Sequence, residues 1–156
     1  PWHAAAERIE ARLRKHEWIK LDGEMGRAIR WFEPAVEAFP NIRDEYLNKV
    51  ATPMDLGRVD RTLRSGGYDA AGGPEPFVDD LVLVFHNAVR YNAEAKRALP
   101  RGAAADKVDD LPAQIYDIAT HLRDWTKHLA LEHLVDPIDP KNPVKRGDYV
   151  CAIDKA

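Results

Sequence analysis

The sequence has a single cysteine, Cys151, in 156 residues, so no internal disulfide can staple it. That fits a reducing compartment and excludes a small disulfide-framed scaffold. No apolar run approaches the roughly 20 residues a membrane-spanning helix needs, and no signal-peptide pattern is present, so no membrane contact is expected. Neither sign of charge dominates: 23 Lys and Arg stand against 26 Asp and Glu, a net −3, which excludes a broadly basic nucleic-acid binder. Repeats and low-complexity tracts are absent, and strand signals are nearly so. What is present is a 45% apolar composition, the mark of a globular chain long enough to bury a core without staples. The expectation is an all-α domain plus extensions. The chain opens at Pro1, which reads as a segment of something longer.

The stretch 77–92 organises the rest. Phe77, Leu81, Val84, Phe85 and Ala88 follow the spacing of one helix face. Val78, Val82 and Val89 add apolar groups off that stripe, which predicts a central helix. Asp79 and Asp80 suit its first turn. It is expected to end at Tyr91-Asn92. Read alone, Asn92 is a helix stop, because Asn tolerates the left-handed conformation.

Upstream, residues 4–18 predict a first helix with Ile9 and Leu13 on one face, broken after Gly23 and Gly26. Its basic residues are expected to form a solvated face. Residues 27–39 hold Trp31, Phe32, Pro34, Val36 and Phe39, too apolar for an idle loop. Residues 41–50 predict a short turn or helix. Thr52-Pro53-Met54-Asp55 predicts a helix start, with Thr52 as cap and Pro53 in the first turn. Leu56, Val59 and Leu63 make its buried stripe, Gly66-Gly67 its stop, and 68–76 a loop. Downstream, Val108, Leu111, Ile115, Ile118, Leu122, Trp125 and Leu129 alternate spacings of 3 and 4, a seam that predicts one long helix over 109–134. Ile115, Ile118, Leu122 and Trp125 are its expected buried residues. The domain is expected over 1–135, with 136–156 an extension or the start of a linker. Thirty or so apolar-rich connecting residues between the first and second helices imply a functional loop.

Four features together resemble a bromodomain. Tyr46 stands seven residues before Pro53, Pro53-Met54-Asp55-Leu56 matches the family's motif outright, residues 80–85 match its third helix, and Asn87-Ala88-Val89-Arg90-Tyr91-Asn92 matches its Asn-x-x-x-Tyr-Asn ending. The resemblance spans about 7–134. It implies a left-handed four-helix bundle with a long connection between the first and second helices, reading acetyl-lysine at one end. By position it makes Asn92 the amide that donates to the acetyl carbonyl and Tyr46 the phenol reaching it through water. Phe32 and Val36 would line the pocket from the long loop, Tyr91 would form part of its wall, and Val108 would be the gatekeeper. The family's Trp-Pro-Phe shelf has two competing matches here, Arg30-Trp31-Phe32 and Ile19-Lys20-Leu21, with Trp31 displaced by one. The residues between Asn92 and Val108 outnumber the family norm, and the loop over 97–107 is expected to be mobile and to tune peptide choice.

The chemistry suits the implied ligand. Acetylation leaves lysine as a neutral amide, which needs a donor and an apolar slot. An Asn side chain supplies N–H groups without charge, while an unpaired ammonium is costly to bury. The implied partners are acetylated histone or other acetylated peptides and a larger chromatin complex, in the nucleus; the chain is expected to act as a monomer without cofactor, metal or sequence-specific nucleic-acid contact. Two rivals stay open. Asp124, His128 and Glu132, one turn apart, could form an enzyme's metal site, though an outer helix face is the plainer reading. The other rival is a bromodomain-like interaction scaffold that has lost acetyl-lysine binding.

Overall fold

The computed structural model describes residues 2–15, 17–19, 25–27, 32, 43–100 and 111–134. Its elements run α1 (His3–Lys15), β1 (Glu17–Ile19), β2 (Met25–Arg27), α2 (Arg43–Lys49), α3 (Leu56–Arg64), α4 (Gly67–Ala70), α5 (Pro74–Arg97) and α6 (Leu111–His133). The long helices α1, α3, α5 and α6 form the bundle, and α5 and α6 share its largest contact. All four feed one core: Ile9 and Leu13, Val59 and Leu63, Phe77, Leu81 and Phe85, and Leu122 and Leu129. Each large apolar side chain taken fully out of water is worth about 1.5–3 kcal/mol. As its sequence predicts, α5 is buried on several sides, with Phe77, Val78, Leu81, Val82 and Phe85 all fully enclosed.

Five local expectations need correction. The first helix stops at Lys15, and Trp18 instead lies in β1, paired with Gly26 of β2 in a two-stranded antiparallel hairpin. Arg12, Arg14 and Lys15 crowd the last turn of α1, where positive charge suits the helix end. Trp18 and Ile19 favour extended backbone. The cap of α3 is Asp55 and not Thr52: the Asp55 carboxylate accepts from the Arg58 amide at 2.9 Å. Residues 68–76 are not wholly loop, because α4 forms there and α5 starts early, at Pro74.

The fourth correction falls on the central helix, which continues past Asn92 to Arg97. Ala93, Glu94, Ala95, Lys96 and Arg97 are all strong helix formers. Lys96 is also fixed to Asp117 of α6 by an ion pair at 2.9 Å. Asn92 is therefore an interior helical residue and no helix stop. Finally, α6, described from Leu111, turns its face slightly from the predicted seam: Ile118, Leu122 and Leu129 are buried with Ala119, Thr126 and Ala130, while Ile115 and Trp125 are half-buried at the core's edge. Thr126 is tolerated inside because its hydroxyl donates to the Leu122 carbonyl at 2.6 Å.

Candidate functional site

The C-terminal half of α5 gathers the site. Asn87 and Asn92 are buried amides among the otherwise apolar buried residues of this helix. Asn87 Nδ2 donates to the Thr52 carbonyl at 2.8 Å and so pins the chain just before Pro53. The Asp55 cap then starts α3, and the Leu56 amide donates to the Phe32 carbonyl at 3.0 Å. Phe32 is thereby drawn in from the long connection. Its buried ring meets Phe85 edge-on at 5.1 Å between centroids. Three chain segments thus converge beside α5: the one carrying Phe32, the loop before α3, and α2.

Short α2 has Asp44 and Glu45 in its first turn and Lys49 in its last, an arrangement that suits the helix dipole. It has no fully buried residue, so its attachment rests on particular contacts. The half-buried Tyr46 ring packs on Tyr91 of α5, with centroids 5.0 Å apart and planes 57° to each other. Lys49 stands over the other ring of that pair, its Nζ 5.5 Å from the Tyr91 centroid, and also reaches Glu45 at 3.0 Å and Glu94 at 3.8 Å. Burial, foremost, pushes the Tyr46 phenol up to about 12, with Tyr91 and Asp55 adding to it. Tyr46 therefore presents an uncharged O–H at any physiological pH. Burial also raises Tyr91, Glu45 adds to that, and Lys49 opposes it.

Asn92 follows Tyr91 directly. Its Nδ2 donates to the Ala88 carbonyl one turn back at 2.8 Å, which fixes which end of the amide is nitrogen. A primary amide has two N–H donors and a carbonyl oxygen, so this bond leaves one donor and the oxygen for other use. The result is a neutral amide next in sequence to the aromatic pair, with one donor able to hold a polar, uncharged group such as an amide carbonyl.

Of the seven residues singled out from the sequence, Tyr46 and Tyr91 pack together here, and Asn92 is buried next to Tyr91 in the chain with its amide on the Ala88 carbonyl. Phe32 spends its ring on the core contact with Phe85. Trp31, Val36 and Val108 lie outside the described residues, as do Arg30, Lys20, Leu21 and most of the 97–107 loop. Sequence reasoning placed Asn87 in a motif but gave it no task; a second amide within an apolar helix was the available signal. Lys49 over Tyr91 was missed, since nothing in the sequence reports a cross-helix pair. Among the described residues, no group of three or more His, Cys, Asp or Glu side chains could hold a metal ion. Among them also, no helix is long and apolar enough to cross a membrane.

A helical bundle with a buried amide on its central helix and an aromatic pair clasping a short helix to it suits a small recognition module. Comparison with known proteins gives one segment a family likeness: residues 27–102, a little under half of the chain, match the family model described as Bromodomain. The match includes Phe32, Tyr46, Asn87, Tyr91 and Asn92 and stops short of Val108. Similar proteins include the SWR1 complex bromodomain subunit bdf1 of Schizosaccharomyces pombe, 31% identical over 77 residues, covering 49% of this chain and 13% of that protein. Transcription factor GTE9 of Arabidopsis thaliana is 46% identical over 52 residues, 33% of this chain and 7% of that protein. Bromodomain-containing factor 2 of Saccharomyces cerevisiae is 34% identical over 70 residues, 45% of this chain and 10% of that protein. The chain thus spans only a small part of the length of these relatives.

Proposed function

We propose that this chain is a chromatin reader that binds acetylated lysine on histone tails or other nuclear proteins. The observation that carries the reading is the Asn92 amide, buried in α5 directly after the Tyr46–Tyr91 pair. Its free N–H donates to the acetyl carbonyl, and the neutral Tyr46 phenol reaches the same oxygen through a water. Val36 lines the slot, the Phe32 ring backs it from the core, Trp31 belongs to its shelf, and Val108 closes it from the start of the last helix. The module works without turnover and as a monomer, with 136–156 an extension or the start of a linker. Relatives named as a subunit of the SWR1 complex and as a transcription factor support a nuclear setting and a place in a larger assembly.

The test is a calorimetric titration with histone peptides in matched acetylated and unmodified forms. Binding that needs the acetyl group supports the reader. Equal binding of both forms replaces it with the interaction scaffold, the reading under which the Asn92 bond to Ala88 serves the helix alone.

A further inference from the structure

Flanking the apolar face of α1, a cleft of about 530 Å³ runs between α1 and α3, lined by Glu7, Glu10, Arg14, Asp60, Leu63 and Arg64. Glu10 is its unusual member. Only 8% of its surface is exposed, and its Oε1 is shut off from solvent with no hydrogen-bond partner. Its carboxyl faces that of Asp60 across the helix pair and is hydrogen-bonded to it. Two carboxylates so placed cannot both ionise at ordinary cost. We propose that Glu10 and Asp60 share one proton across the cleft between α1 and α3, and that losing this proton loosens α1 from the bundle.

The neighbours decide which acid keeps the proton. Arg64 Nε reaches both Asp60 oxygens, at 3.2 and 3.1 Å. Glu10 has no such bond, so the proton stays with it and donates across the pair. Burial first, and Asp60 second, push Glu10 up to about 7, while Arg14 and Arg64 oppose the shift. Glu7 adds negative charge from α1. From α4, Tyr68 also senses Glu10 but is bonded through its hydroxyl to Asp80 of α5 at 2.9 Å. No α6 residue lines the cleft. Once ionised, Glu10 gains by turning out into the open cleft, which breaks the carboxyl contact joining the two helices. The apolar contacts of Ile9 and Leu13 remain, so α1 loosens and does not detach.

The sign follows from linkage. A carboxyl raised from 4.5 to about 7 on folding contributes stability that is full below the lower value and lost as pH rises through the upper one. The direct test is the ¹³C signal of the Glu10 carboxyl in the full chain, assigned with Glu10→Gln. A midpoint near neutrality is expected; a midpoint in the ordinary glutamate range overturns the proposal. Amide exchange reads the consequence. After correction for intrinsic rates, α1 should lose on the order of tenfold or more of its protection between about pH 5 and pH 8. Glu10→Gln, which leaves His3 on Asp69, should flatten that profile, and an unchanged profile overturns the switch. Asp60→Asn should move the Glu10 midpoint down, and an unmoved midpoint rules out the shared proton.

Discussion

Asn87 of α5 reaches back thirty-five positions to hold the carbonyl of Thr52 at 2.8 Å. This one bond fixes where the Pro53 motif meets the central helix, and so where α2 and Tyr46 stand relative to Tyr91. Asn87→Ala removes it and leaves a small void. Stability should fall by about 1–3 kcal/mol, read from urea denaturation. Acetyl-peptide affinity should fall further than for a core variant of equal stability cost, because α2 loses its register. Full stability in the variant would show that the tether is dispensable.

Leu122 and Ile115 make a paired test of the α6 face. Both belong to the periodic seam in the sequence, yet Leu122 is fully buried and Ile115 only half so. Leu122→Ala should cost roughly 2–5 kcal/mol. Ile115→Ala should cost clearly less in the same denaturation series. Equal costs would restore the seam that the spacing suggested.

That contrast shows how far the sequence could be read. The existence of the four long helices was legible, because each carries its own apolar period. Their ends were less so: Asp55, not Thr52, caps α3, because both residue types cap equally well and only tertiary contacts choose between them. Asn92 was misplaced for a similar reason. Asn tolerates a helix end, but the Ala-, Glu-, Lys- and Arg-rich residues after it carry the helix on, aided by the Lys96–Asp117 ion pair, which no local pattern reveals. At the site, the motif marked Tyr46, Tyr91 and Asn92; the Asn87 tether and Lys49 over Tyr91 depend on packing between distant segments and left no local trace.

Gly67 opens α4 directly after Gly66, which holds a left-handed φ of 79°. A Cβ at 67 would come within 2.8 Å of Thr62 Cγ2. Thr62 cannot easily turn away, since its hydroxyl donates to the Arg58 carbonyl at 2.8 Å. Gly67→Ala should therefore cost about 1–3 kcal/mol by overpacking, despite alanine's better helix propensity. Thr62→Ser deletes the clashing methyl while keeping the hydroxyl. The double variant should recover most of the loss, and simple additivity of the two changes would disprove the clash.

Tyrosine ionisation offers a pH test at the site. The Tyr46 phenol is pushed up to about 12 from an ordinary 10, chiefly by burial. Its contribution to stability is whole below the lower value and is lost as pH rises through the upper one. Absorbance titration at alkaline pH should show a late-ionising phase that Tyr46→Phe removes. If the late phase persists undiminished in Tyr46→Phe, Tyr46 is not the buried phenol responsible.

Asn92 is where stability and recognition should part. Its side chain donates to the Ala88 carbonyl, and that carbonyl also lies in the backbone ladder of α5. Removing the amide therefore strands no buried acceptor, and alanine is the better helix former at an interior position. Asn92→Ala should leave the melting temperature nearly unchanged. The acetyl carbonyl, by contrast, would lose its direct donor, at a cost of about 1–3 kcal/mol. At about 1.4 kcal/mol per tenfold, affinity should drop on the order of 5- to 150-fold. Glycine is the wrong probe here, because inside a helix it would itself cost about 1 kcal/mol and blur the two effects. Asn92→Asp sharpens the result: the carboxylate keeps the shape of the amide but has no N–H to donate, so binding should be lost at least as fully as with alanine. Titration of the three proteins with one acetylated peptide, with melting measured alongside, decides the matter. Unchanged affinity in Asn92→Ala would remove Asn92 as the anchor. Lost affinity at unchanged melting would separate its role in recognition from its bond to Ala88.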